Sequence, residues 1–340
     1  MTNPYLKWLS KTATCWWNDS AELAGMEQAI ENGATGVTTN PILVKRSLFA
    51  EPGSWRPYMR GAIGLKGDEK VEEIIRSVTV EIAKKFETVY KATDRAQGYV
   101  CAQVNPNLQG DAEKMLKMGK RLAAWAPNVA VKVPATAAGA EAIEELSALG
   151  VATVGTVSFT VSQAVEIARR QHMGAKRAKS AGRKPGAAFS VIMVGRLDDY
   201  LRDVARDMRL CIPERDIIQA GTACFKRAYA ICKERGYGSK LMPAAMRGVY
   251  HASALAGADI TMSIAANIQA LLAKETDYTE RISEPVPKDT IERLLAIPEF
   301  ARAYGPDGMK PSDFITFGAT QRTLAQFIEA GWAGVAEFEM

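Results

Sequence analysis

Val129-Ala130-Val131-Lys132-Val133-Pro134 is a β-branched run with one lysine set into it. A run of this length and composition reads as a strand buried on both faces. Alternation puts Ala130, Lys132 and Pro134 on one face and Val129, Val131 and Val133 on the other. Pro134 has no N–H to give to a ladder and ends the strand. Residues 135–149 then read as a helix, with Ala138, Ala142, Ile143 and Leu146 at helical spacing and Thr136 as its N-cap. Lys132 therefore stands near the carboxyl end of a strand that feeds a helix. An ammonium held among valines loses hydration, so its pKa is expected to fall, and a neutral lysine attacks carbonyl carbon. The plainer alternative is a surface lysine on an edge strand.

The same alternation of strand and helix runs outward from this unit. Further strands are expected at 13–17, 36–39, 99–104, 152–157, 187–194, 240–243 and 259–263. A helix capped by Ser20 or Asp19, with Leu23, Met26 and Ile30 inward, is expected to end at Gly33. Asn40-Pro41 opens another. Residues 68–93 carry the clearest stripe: Val71, Ile74, Ile75, Val78, Ile82, Phe86 and Val89. Helices are also expected at 111–125, 162–170, 197–210, 214–235, 244–256 and 264–273. Eightfold repetition of strand then helix is the pattern of a single (β/α)8 TIM barrel, here over 1–273. The rival, a doubly wound sheet, would carry a G-x-G-x-x-G or P-loop stretch after a strand, and this chain has neither. Residues 49–67 are rich in glycine and proline and read as an insertion or lid over one end of the fold. Residues 274–340 hold helical pieces at 291–297 and 320–332 and read as a helical C-terminal extension that packs on the barrel or closes its mouth.

The bulk numbers fit this. The chain has 340 residues and 47% hydrophobic content, enough for one large α/β domain. No apolar run reaches the ~18 residues of a membrane helix, and Met1-Thr2-Asn3-Pro4-Tyr5 lacks a signal-peptide pattern. The cysteines, Cys15, Cys101, Cys211, Cys224 and Cys232, are odd in number and scattered, which favours a reducing cytosol over a disulfide framework. His172 and His251 have no Cys or His partner at ligand spacing, so no metal is expected. The formal charge is +5, and much of the excess lies between Arg169 and Lys184. That stretch has no interleaved aromatic residues, which argues against a nucleic-acid arm and for a solvated helix end and loop. Attraction of anionic sugar phosphates is an intermediate reading.

Barrel chemistry gathers where strands end and loops begin. Along this chain those positions hold Asp19, Asn40, Gln103, Lys132 and Thr156, then Arg196 beyond the sixth strand and Arg247 beyond the seventh. Each has a dull alternative. Asp19 can serve as a cap, Asn40 as a turn residue, and Gln103 and Thr156 as partners for backbone groups. Arg196 can pair with Asp198 or Asp199, and Arg247 can lie exposed on a helix. Gathered at one mouth, they argue for a site.

Three stretches, Gly36-Val37-Thr38-Thr39-Asn40-Pro41, Val131-Lys132-Val133-Pro134-Ala135-Thr136 and Val194-Gly195-Arg196-Leu197-Asp198, resemble the transaldolase family, which includes the shorter fructose-6-phosphate aldolases. Asp19-Ser20-Ala21 is similar to that family's first-strand motif. Gly155-Thr156 with Ser162-Gln163-Ala164 is similar to its fifth strand and the helix that follows. The resemblance runs from Ala13 to Ala273 and implies a (β/α)8 barrel whose lysine forms a Schiff base. It implies Lys132, Asp19, Gln103 and Thr156 as catalytic residues, with Asn40, Arg196 and Arg247 binding a ketose phosphate. The imine is the electron sink, so no cofactor is implied. Expected partners are small sugar phosphates, with no nucleic acid and no membrane. A homo-oligomer is left open, and the expected location is cytoplasmic. The implied reaction is transfer of a dihydroxyacetone unit between sugar phosphates. Reversible aldol cleavage to free dihydroxyacetone is the near alternative, and a non-catalytic sugar-binding barrel the distant one. The chain departs from the transaldolase pattern at Gln103, where glutamate is usual, at Met193, where Phe or Tyr is usual, and at Ala245, where a phosphate-binding serine is common.

Overall fold

Eight parallel strands form one sheet in the order β7-β6-β5-β4-β3-β2-β1-β8, read from a computed structural model that describes residues 2–339. Met1, in the stretch read for a leader, and Met340, the end of the expected extension, lie outside the described residues. The strands are β1 Cys15–Asp19, β2 Gly36–Thr38, β3 Tyr99–Gln103, β4 Val129–Pro134, β5 Thr153–Thr156, β6 Ala188–Ile192, β7 Lys240–Pro243 and β8 Thr261–Ile264. The two end strands of that order, β7 and β8, pack side by side, so the sheet closes into a nearly complete barrel. The helices used below are α1 Met26–Glu31, α2 Pro41–Ala50, α3 Gly67–Ala92, α4 Ala112–Ala123, α5 Ala137–Ala148, α6 Val161–Ser180, α7 Val194–Asp207, α8 Ala220–Glu234, α9 Val249–Leu255 and α10 Ala266–Leu272. Three more, α11 Lys288–Leu294, α12 Pro298–Tyr304 and α13 Gly318–Gln326, follow the barrel.

The alternation read from β4 decides which side chains face inward. Gln103 is in register with Lys132, and Pro134 with Thr156. Paired residues of a parallel ladder share a face, so Gln103, Lys132 and Thr156 all point into the barrel. Asp19 is in register with Thr38, and Trp17 with Ser263, which puts these on the same inner face. The valines of β4 point the other way: Val131 reaches Gly119 of α4, where a Cβ would stand 3.3 Å from Val131 Cγ1. Inside, the lower layer is aromatic. Trp17 and Phe189 have ring centroids 4.5 Å apart, and Tyr99 lies 6.1 Å from Phe189. Gly36 admits Trp17, since a Cβ there would come within 2.6 Å of the indole. Apolar rings thus plug the amino-terminal end, as packed layers do in such barrels, and the polar layer is left at the carboxyl-terminal mouth.

Several local expectations are corrected. The helix after β1 begins at Met26 with Gly25 at its N-cap, so neither Asp19 nor Ser20 caps it; the Ser20 hydroxyl instead accepts from Glu22 N–H at 3.1 Å. Residues 244–248 are not helical. Ala245 has φ +56°, and α9 begins only at Val249. The helix after β5 continues to Ser180 rather than stopping at Arg170. Arg170 and Arg177 reach Glu144 on α5, Arg177 also reaches Glu145, and Arg169 pairs with Glu166. Acids on the neighbouring turn and helix thus pair with Arg169, Arg170 and Arg177 of a run that has none of its own. The 214–235 helix is broken into Glu214–Ile217 and α8.

The segment read as a lid is a packed connector. Trp55, Met59 and Ala62 are fully buried, and Trp55 Nε1 donates to Ser47 Oγ at 2.8 Å. At the other end of the chain, Phe327 and Trp332 are buried, and Trp332 Nε1 donates to Asp68 Oδ1 at 2.7 Å.

Candidate active site

A cavity of about 620 Å³ opens at the carboxyl-terminal mouth of the barrel. Asp19, Asn40, Lys132, Thr156, Arg196 and Arg247 all line it. Gln103 does not. It lies beside Lys132 on the inner face, 2% exposed, with Oε1 buried and without a donor among the described residues.

Among the described residues Lys132 is the only lysine in the cavity wall, and it is 6% exposed. Its Nζ donates to the Thr39 carbonyl at 3.1 Å. That carbonyl is free because β2 leaves its ladder with β3 after Val37. The Thr39 hydroxyl takes the carbonyl of Cys101 instead, at 2.7 Å. The early end of β2 thus turns one backbone acceptor inward to hold the amine. The edge-strand alternative for Lys132 is set aside, since β4 is paired on both sides and wholly buried.

Asp19 Oδ1 accepts from the Thr38 hydroxyl at 2.7 Å, and Thr38 Oγ1 lies 2.7 Å from Ser263 Oγ. With the Thr38 proton on Asp19, Ser263 is the donor to Thr38. The relay spans β8, β2 and β1, and it leaves Asp19 Oδ2 without a partner among the described residues. Asn40 has two roles. Its Oδ1 caps α2 by accepting from Ile42 and Leu43 N–H at 2.9 and 3.1 Å, while the residue also faces the cavity. Thr156 is 1% exposed, and the next residue, Val157, has φ +55°. A β-branched residue rarely adopts that conformation, which costs on the order of 1–3 kcal/mol and tends to occur at functional sites.

The two arginines stand differently. Arg196 pairs with neither Asp198 nor Asp199. Its Nη1 donates to Gln326 Oε1 at 2.6 Å and to Thr323 Oγ1 at 3.3 Å, and its guanidinium lies 5.9 Å from the Phe327 ring centroid. Burial, and then the charge of Arg247, push the Arg196 guanidinium below its ordinary value. A half-buried cation held by neutral acceptors suits an anionic ligand. Arg247 is not on a helix. Its Nε donates to Asp199 Oδ2 at 2.8 Å and its Nη1 to the Ala245 carbonyl at 2.8 Å.

Sequence reasoning missed Ser263, Arg46, Asn267 and Phe327, which also line the cavity. The rule that found the others, a polar residue near a strand's carboxyl end, finds Ser263 when applied to β8. Nothing in the local pattern points Phe327 to the mouth. A second cavity, of about 490 Å³, lies on the flank between α8, α9 and residues 275–287, but its lysine, Lys226, is taken by the Arg281 and Glu284 carbonyls. Among the described residues, no three His, Cys, Asp or Glu side chains converge to hold a metal ion, and no helix is long and apolar enough to cross a membrane.

Residues 16–307 match the model of a family described as transaldolase/fructose-6-phosphate aldolase. Transaldolase 1 of Streptomyces avermitilis is 32% identical over 191 residues, which cover 54% of this chain and 49% of that protein. A probable transaldolase of Dehalococcoides mccartyi is 27% identical over 234 residues, covering 68% of this chain and 77% of the relative. The transaldolase of Mycobacterium tuberculosis is 28% identical over 253 residues, covering 68% and 65%. The chain thus spans about half of the Streptomyces protein and just under two thirds of the mycobacterial one. A solved β-N-acetylglucosaminidase of Paenibacillus superposes on 96% of this chain and 68% of its own at 12% identity and a TM-score of 0.28, too loose a likeness to bear on function.

Proposed function

The chain belongs to the transaldolase/fructose-6-phosphate aldolase family, and from that premise we propose that it transfers a dihydroxyacetone unit from a ketose phosphate to an aldose phosphate through a Schiff base on Lys132. The observation that carries the reading is the placement of one buried amine, held by a backbone carbonyl, in a cavity that also presents Asp19, Asn40 and Thr156 and is edged by two arginines.

The Lys132 amine, once unprotonated, attacks the ketone carbon, and loss of water gives an imine. Asp19 then takes the proton of the C4 hydroxyl. The C3–C4 bond breaks, its electron pair moves into the protonated imine, and an aldehyde leaves. The three-carbon enamine stays on Lys132 until an acceptor aldehyde takes it up by the reverse sequence. The Thr38–Ser263 relay occupies one oxygen of Asp19 and leaves the other to work as the base. Asn40 would hydrogen-bond the three-carbon fragment. Thr156 would position the water lost and regained at the imine, and Gln103, set behind the cavity wall beside Lys132 with no donor to its Oε1 among the described residues, would take part only if that water reached it. Arg196 and Arg247 would hold the phosphate.

Aldol cleavage with release of free dihydroxyacetone is the second reading, and Gln103 favours it, because an amide does not titrate where transaldolases usually carry a carboxylate. Acceptor dependence separates the two. Transfer predicts that fructose 6-phosphate is consumed only when an aldose phosphate is added, and cleavage predicts equal consumption without it. In both, Lys132→Ala loses all turnover; a variant that keeps it would remove the basis of the proposal.

A further inference from the structure

Behind the phosphate side of the cavity lies a buried pair that the mechanism does not use. Asp198 and His251 are both fully buried, with His251 Nε2 2.8 Å from Asp198 Oδ2. Asp198 Oδ1 accepts from Gly221 N–H at 2.8 Å, and His251 Nδ1 accepts the backbone N–H of Arg247 at 3.2 Å. A ring nitrogen that accepts carries no proton. The proton of the neutral imidazole is therefore on Nε2, aimed at the Asp198 carboxylate. Burial pushes the Asp198 carboxyl up, while the His251 and Gly221 N–H groups oppose it. An apolar pair would fill this space at lower cost, so the polar pair calls for a reason.

The reason lies in the loop that carries Arg247. Residues 244–248 leave β7 through Ala245 at φ +56° and lie directly on the first turn of α7. Gly195 allows the contact, since a Cβ there would stand 2.4 Å from the Ala245 carbonyl and 2.6 Å from Arg247 Cγ. Asp199, next to Asp198, holds the Arg247 guanidinium. Adjacent aspartates of α7 thus set both ends of Arg247, one through its side chain and the other through His251 and its backbone.

We infer that Asp198 and His251 form a positioning pair for Arg247: Asp198 fixes the ring proton on Nε2, and the bare Nδ1 fixes the backbone on which the phosphate-binding guanidinium stands. This rests on the reading of Arg247 as a phosphate ligand given above.

Asp198→Asn tests it with little change of shape. The amide keeps Gly221 through Oδ1 but donates through Nδ2 to His251 Nε2. The ring proton must then move to Nδ1, facing the Arg247 N–H, much as an aspartate-to-asparagine change fixes the wrong tautomer in a serine-protease triad. The chain has two histidines, so ¹⁵N labelling of histidine alone reads the tautomer in the full protein. The wild type is expected to show the Nε2–H form and Asp198→Asn the Nδ1–H form. KM for a ketose phosphate should rise roughly tenfold, the equivalent of about 1.4 kcal/mol and of one hydrogen bond. The kcat value, and turnover of an unphosphorylated ketose, should stay unchanged. An Nδ1–H tautomer in the wild type overturns the inference whether or not the variant folds, and so does a switched tautomer with unchanged KM. Arg247→Ala separates the two layers. If it leaves KM for the phosphorylated donor unchanged, the phosphate reading fails and the inference falls with it. If it raises KM while Asp198→Asn does not, only the positioning pair is refuted.

Discussion

Lys132 donates to the carbonyl of Thr39, and Thr39 is followed by Asn40. The amine and the amide that would bind the same substrate fragment are thus fixed relative to each other by the short β2 turn rather than by long side chains. At this scale the sequence was most informative. Strand parity around Lys132 and the search for polar residues at strand ends placed Asp19, Asn40, Thr156, Arg196 and Arg247 at the mouth, where the cavity has them. It could not show which acceptor each would find. Asp199 is the partner of Arg247, while Arg196 is left to neutral groups. Arg196→Ala is therefore expected to raise KM for a phosphorylated donor by roughly ten- to a hundredfold, the range of hydrogen bonds to charged groups, with little change for an unphosphorylated one. Steady-state kinetics on the two donors checks this. Gln103→Glu places a titratable group beside Lys132, where Oε1 is buried and has no donor among the described residues. It should raise transfer relative to the wild type if the rest of the site works as in transaldolases, and no gain would assign Gln103 to a different chemistry.

Among the elements, periodicity predicted α3 and α4 to within a residue or two, because each has one continuous apolar stripe. It misjudged segments whose fate is decided by distant partners. The segment at 49–67 has the glycines and prolines of a loop, yet Trp55 is fully buried and tied to Ser47, whose hydroxyl donates to the Ala21 carbonyl at 2.9 Å. None of its residues lines the cavity. Trp55→Ala is expected to cost about 3–5 kcal/mol of stability, the range for truncating a large core aromatic, and to leave KM and kcat unchanged below the new melting point. Denaturant unfolding alongside kinetics measures both, and a large KM change would restore the lid reading. The basic run at 169–184 is the solvated helix end and loop expected of it, with Lys176, Lys179, Arg183 and Lys184 exposed, but the helix runs on to Ser180 and the acids that pair with Arg170 and Arg177, Glu144 and Glu145, lie on α5 and not in the run itself.

For the whole molecule, the chain after the barrel returns to the mouth. Gln326 and Thr323 of α13 hold Arg196, and Phe327 lines the cavity, a placement no local pattern announces. On the way, α11 is clamped to the barrel by Asp216, whose carboxylate accepts from Arg293 Nε at 2.5 Å and from Thr290 Oγ1 at 3.0 Å. Arg293, and to a lesser degree Thr290, hold the Asp216 carboxyl below the ordinary carboxylate range. A depressed carboxyl contributes stability above its unfolded value, about 4, and that contribution fades as pH falls through the folded value. Arg293→Ala should therefore lower the melting temperature clearly at pH 7 and much less at pH 3, and an equal loss at both would show that the pair's charge is not what holds α11. The central claim concerns a single bond, and the most direct measurement traps it. Borohydride is added to the protein with a ketose phosphate, and the digest is mapped by mass spectrometry. The account predicts one reduced adduct, on Lys132, absent without the sugar; trapping on another lysine, or turnover of the sugar with no adduct, would contradict it.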